Sequence, residues 1–149
     1  MAKVTIYHSK ARRESNKEAE DFIRQVLREI QFQARLHIVF GPYTTGRLAS
    51  SLRTRGPFME FGRVTGSVGS DLPYAAAVEG GSGLHGPRRS KYVIRPNRAK
   101  MLKFYWRKVG RVVVLPKVNH PGQRGKDYLL KAAQSVSRRH NMLLIIHEV

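Results

Sequence analysis

A chain of 149 residues, 41% of them hydrophobic, is long enough to bury a real core in one domain and too apolar to be disordered. It has no cysteine, which excludes disulfides and thiolate metal sites, and its longest apolar runs, residues 112–115 and 142–146, are far too short to span a bilayer. Twenty-eight Lys and Arg face ten Asp and Glu, a net charge of +18, and residues 80–126 hold thirteen of those bases and no acid; such a stretch repels itself unless it meets an anionic partner, of which nucleic acid is the commonest, or is diluted around a larger assembly.

Residues 1–6 are not followed by the apolar core of a signal peptide. Ser15-Asn16-Lys17-Glu18 has the form of a capping box. Behind it Ala19, Phe22, Ile23, Val26, Leu27, Ile30 and Ala34 recur at helical spacing. They predict a helix over 16–39, about 36 Å long at 1.5 Å per residue, stopped by Gly41-Pro42. A short capped helix follows at 44–52 and is ended by Gly56-Pro57. Strand signals come next at 58–64 and 67–70, with Thr65-Gly66 as a tight turn between them. Residues 72–79 read as a short helical turn or an irregular segment, and 80–90, GGSGLHGPRRS, as a loop.

A short strand is predicted at 91–96. A hairpin then joins 101–108 to a Val-rich strand at 111–118 through Val109-Gly110. Alternation puts Leu102, Phe104 and Trp106 on one face of it and Lys103, Tyr105 and Arg107 on the other. The second long helix starts near Lys126, with Tyr128, Leu129, Ala132, Ala133 and Val136 on one face. Arg138, Arg139 and His140 stand at its C-terminal end, where cations suit the helix dipole. A final strand is expected at 142–149. The sum is an α+β fold: a mainly antiparallel sheet with a long N-terminal helix and a second, C-terminal helix packed on one face. It is read as a single domain over 1–149 with a flexible glycine-rich loop around 80–90.

Catalytic patterns are missing from the sequence. The six histidines are scattered, and none pairs with another at i, i+4 around a Glu, so no metal site is expected. The glycine loop lacks the Lys-Ser or Lys-Thr of a phosphate-binding loop, and no paired carboxylates stand out. Neither an enzyme nor a cofactor is expected. Glu79, between an apolar run and the glycine loop, reads as a contact or capping residue. His120, before Pro121-Gly122 at a strand end, reads as a turn residue.

Three segments in order carry a resemblance. The first is Thr45-Gly46-Arg47-Leu48 with Ser50, Ser51 and Leu52. The second is Val68-Gly69-Ser70-Asp71-Leu72-Pro73-Tyr74-Ala75 running into Val78-Glu79-Gly80-Gly81. The third is the strand end at His120-Pro121-Gly122 followed by Tyr128-Leu129-Leu130. Together, over residues 44–136, they resemble the small head–tail joining proteins of long-tailed double-stranded DNA phages, the gp-ten-like putative tail components also described as neck or tail-completion proteins. The chain departs from the commoner Pro-x-Arg-Pro-Phe pattern before the last helix, where it has residues 120–125, HPGQRG.

The resemblance implies a homo-oligomeric ring, commonly hexameric, in the virion, assembled in the host cytoplasm, with packaged DNA crossing its lumen. Its neighbours would be a head-completion or stopper protein and a tail terminator or tail tube protein, with no membrane involved. Arg88, Arg89, Lys91, Arg98, Lys100 and Lys103 are the candidates for lumen or partner contacts, through phosphate and without sequence readout. Tyr74, Glu79, His120 and Arg124 are the candidates for inter-subunit contacts. A tail terminator capping the tail tube is the alternative within this class. A free basic nucleic-acid-binding module, which would bind tightly as a monomer with steep salt dependence, is the alternative outside it. A small nuclease or RNA-cleaving toxin is a weaker fourth reading.

Overall fold

The structure, a computed structural model, describes residues 2–8, 16–41 and 46–141. The chain divides into two compact units: Met1–Glu79 with Asp127–Val149, and Gly80–Lys126. The acid-free stretch of the sequence is thus a unit of its own, unit 2, inserted into unit 1.

Among the described residues unit 1 is a three-stranded antiparallel sheet packed with helices. Helix α1 (Asn16–Val39) presents Ala19, Ile23, Val26, Leu27, Ile30, Ala34 and Ile38 as one stripe, each at most 6% exposed. Burying a side chain of this kind stabilises the fold by roughly 1.5–3 kcal/mol. The stripe meets the sheet, whose strands β1 (Ala2–His8), β2 (Arg53–Glu60) and β3 (Arg63–Ser70) run in the spatial order β1-β3-β2. Strand β3 is central, pairing Val68 with Val4 on one side and with Thr54 on the other. Helix α1 crosses it over Gly66, where an added Cβ would lie 2.5 Å from the Leu27 Cδ1. A glycine inside a strand marks such a close approach.

Short helix α2 (Arg47–Ser51) buries Leu48 and Ala49. The carbonyls at its C-terminal end accept hydrogen bonds from α1: Gln31 Nε2 to the Leu52 oxygen at 2.7 Å and Arg35 Nε to the Ala49 oxygen at 3.2 Å. Helix α3 (Ala75–Gly80) closes the first half of the unit. Helix α4 (Tyr128–Arg139) lays Tyr128, Leu129, Ala132, Ala133 and Val136 into the same core. Phe22 packs against that core and meets the His140 ring edge-on at 5.5 Å. Glu29 accepts from Arg139 Nη1 at 3.5 Å and lies 2.9 Å from His140 Nε2, tying the end of α4 to α1.

Unit 2 is two small antiparallel ladders. Strand β4 (Tyr92–Ile94) pairs with β7 (Val118–His120), and β5 (Leu102–Trp106) pairs with β6 (Arg111–Leu115). Every buried hydrophobic side chain among the described residues belongs to unit 1.

The α+β expectation holds, as do the long first helix and the C-terminal helix. Several boundaries do not. Strand β1 was read only as an N-terminus without a signal peptide. The β2–β3 turn is Phe61-Gly62, not Thr65-Gly66. Both residues have positive φ, 49° and 73°, as the tight hairpin turn matching strand twist requires. The strand before it begins at Arg53 and contains Gly56-Pro57 instead of following it. Its register shifts between Arg55 and Phe58, and a proline is tolerated there because β2 is an edge strand. The single strand expected at 111–118 is two, because Pro116 has no N–H to donate to a ladder. Ser15 of the capping box, Thr44 and Thr45 of the second helix, and the expected strand at 142–149 lie outside the described residues.

Candidate functional site: the basic unit and its base

The points where the chain leaves and re-enters unit 1 are built from residues far apart in the sequence. The chain leaves unit 1 after Glu79 and re-enters it at Asp127, and the Asp127 N–H donates to the Glu79 carbonyl oxygen at 3.1 Å. Asp127 is left-handed (φ 51°) and gives α4 no side-chain cap. The Glu79 carboxylate does that work instead. Its Oε2 accepts from the Leu129 N–H and its Oε1 from the Leu130 N–H, each at 3.0 Å. A carboxylate on the first free amides of a helix meets both the unpaired donors and the positive end of the dipole. Burial raises the Glu79 carboxyl above its ordinary value, the two amides oppose that, and the Asp127 charge adds to it. Next to it the Tyr128 hydroxyl is buried with no partner among the described residues. Burial first, then Glu79 and Tyr74, push its ionisation up.

Inside unit 2 the glycine loop is docked on the stretch 121–125. The Ser82 N–H donates to the Gln123 oxygen at 2.9 Å and the Leu84 N–H to the Pro121 oxygen at 2.8 Å. The Gln123 N–H returns a bond to Ser82 Oγ at 3.2 Å. The two backbones are so close that a Cβ on Gly122 would overlap the Ser82 carbonyl, and one on Gly83 would overlap Pro121. Residues 120–125 therefore form a structural corner, with glycines where backbone meets backbone. His120 belongs to that corner: its Nδ1 accepts the Gly122 N–H at 2.9 Å, and its ring lies 5.3 Å from that of Tyr92.

All six residues expected to meet a lumen or partner are exposed and lie in unit 2. Arg88 and Arg89 follow the 3-10 turn Gly83–His85, Lys91 precedes β4, Arg98 and Lys100 stand between β4 and β5, and Lys103 is on β5 opposite Val114. Unit 2 has no carboxylate with which any of them could pair. The four residues expected at subunit contacts divide between the units. Tyr74 is exposed before α3, and Arg124 is exposed on the corner. Glu79 and His120 are half-buried, and both already hold backbone N–H groups of their own unit.

Sequence reading missed the apolar side of this surface. In the β5–β6 ladder Tyr105 faces Val112 and Lys103 faces Val114, and all four side chains are exposed. Residues 111–115, RVVVL, have no apolar–polar alternation that would tell a covered face from a bare one. Among the described residues no three His, Asp or Glu side chains come together where they could hold a metal ion. No described helix is long and apolar enough to cross a membrane. No protein-family model, curated protein or solved structure matches this chain.

Proposed function

We propose that this chain is a structural virion protein: one subunit of a ring at the junction between a DNA-filled phage head and its tail. The ring is six-fold in the family it resembles. It would join a head-completion protein to the tail terminator or tail tube and line the DNA passage. The observation that carries this reading is that the three motifs of the resemblance are bonded to one another. Ser51 Oγ of the first lies 2.7 Å from Ser70 Oγ of the second. Glu79, which ends the second, holds the amides of Leu129 and Leu130 in the third.

The charge distribution agrees with it. A ring concentrates the thirteen bases of each unit 2, and phosphate is the partner that such a field attracts without reading sequence. Arg88, Arg89, Lys91, Arg98, Lys100 and Lys103 are assigned to that contact, and Tyr74, His120 and Arg124 to neighbouring subunits. Glu79 acts there indirectly, by capping α4 of its own unit.

Electron microscopy of lysates from a phage lacking this gene tests the reading. Filled heads and separate tails that fail to join are expected. Tails of uncontrolled length would favour the terminator instead, and normal infectious particles would sink both. The acid-free unit also favours one reading from another class, a free nucleic-acid-binding module. Tight binding of duplex DNA by the monomer, weakening steeply with salt, would select it.

A further inference from the structure

We propose that the outer face of the β5–β6 hairpin docks on unit 1 of a second copy of this chain, at the edge and turn formed by Phe58, Glu60 and Phe61. The inference deepens the ring reading and rests on it.

A two-stranded hairpin is at best marginally stable in water without a surface to pack on. Here Tyr105 (60% exposed), Val112 (52%) and Val114 (52%), with Lys103 at their margin opposite Val114, form a largely apolar face that no described residue covers. Aliphatic β-branched side chains offer nothing to phosphate, so this face suits protein. A nucleic-acid strand would take the basic loop residues instead.

Charge then selects the partner surface. Unit 2 facing unit 2 would oppose two sets of thirteen cations with no carboxylate between them. All ten acids of the chain lie outside residues 80–126. Unit 1 carries the other fifteen bases beside those acids, so unit 2 of one copy is repelled far less by unit 1 of another than by a second unit 2. On unit 1 the matching apolar group is on β2, an edge strand among the described residues. Phe58 is half exposed and Phe61 fully exposed at the turn, and the exposed Glu60 beside them, opposite Arg63 in the ladder, offers a carboxylate to the hairpin. Native edge strands are normally blunted or covered. A contact between two different patches is heterologous, and repeated by rotation it closes into a ring.

The absence of cysteine makes the test clean. Two full-length variants, Val112→Cys and Phe61→Cys, are mixed and mildly oxidised. The mixed disulfide is expected to exceed both like-with-like products well beyond statistical mixing, and to rise with protein concentration. Val112→Glu is expected to abolish the oligomer in light scattering while leaving the circular dichroism of the monomer unchanged. Oligomers linked only Val112→Cys to Val112→Cys, oligomers with no disulfide, or unchanged assembly of Val112→Glu would overturn the docking and leave the ring reading standing. A chain that stays monomeric at every concentration, or that assembles only on added DNA without the mixed disulfide, overturns the docking too. The ring reading is then judged separately, by the particles made without the gene.

Discussion

Unit 1 and unit 2 are made from one chain but stand on different physics. Unit 1 holds every buried hydrophobic side chain among the described residues and all ten acids of the chain. Its charges pair locally, as when Arg55 grips both oxygens of Asp71 at 3.0 and 2.9 Å. Unit 2 has no fully buried hydrophobic side chain, no acid, and ladders of three and five residues. Hydrogen bonds and glycine-mediated backbone contacts hold it, and its apolar residues are at best half-buried. One region has a hydrophobic core of its own, and the other, on the reading proposed above, is completed by a partner.

The sharpest way to break that contrast is to truncate one residue in each. Leu27→Ala, in the core of unit 1, is expected to cost about 2–5 kcal/mol in denaturant unfolding. Val112→Ala in dilute protein is expected to change stability by no more than about 0.5 kcal/mol. Equal losses would mean that unit 2 has a core after all.

A glycine of the base comes next. At Gly122, φ is +94° and a Cβ would overlap the Ser82 carbonyl. Gly122→Ala should therefore cost at least about 1 kcal/mol from backbone strain alone. Hydrogen exchange should quicken at the Ser82 and Leu84 amides and stay slow in α1. Equal quickening in α1 would show that the two units unfold as one.

Glu79→Gln leaves one amide of α4 facing an NH2 group and is expected to cost about 1 kcal/mol, with faster exchange at Leu129 and Leu130. Its pH dependence should oppose that of Glu29→Gln. Burial raises the folded Glu79 carboxyl, so its contribution is full below the ordinary value and is lost as pH rises through the folded value. The Glu29 carboxyl is lowered by its bond to His140, so its contribution is present above about pH 4.5 and is lost as pH falls through the folded value. With added acid the gap between wild type and Glu79→Gln should widen, while the gap to Glu29→Gln should narrow. Parallel curves would show that neither environment acts as described. The smallest effect is expected from Tyr128→Phe. Removing a buried hydroxyl with no partner should raise the midpoint of thermal unfolding, by up to about 1 kcal/mol of stability, where loss of a real hydrogen bond would lower it.

Helix α1 was legible to the residue because a seven-position apolar stripe leaves one solution, and α4 nearly so. The turn at Phe61-Gly62 was not. Phe is an unusual residue at positive φ, and Thr65-Gly66 offered a more ordinary turn. What placed Gly66 mid-strand was the helix lying over it. The six basic candidates were legible as exposed charge. The apolar hairpin face was not, because a Val-rich run looks the same in sequence whether it is covered or bare.

The sequence by itself determined the α+β class, the long helices, and the charge segregation that became the division into two units. Those are local or additive properties: periodicity, capping and charge along the chain. Only the tertiary structure decided which strand is central, that Glu79 caps a helix some fifty residues away, and that the glycine loop and the His-Pro-Gly corner are two sides of one base. Each depends on what a residue meets across the fold, and spacing along the chain carries no record of that.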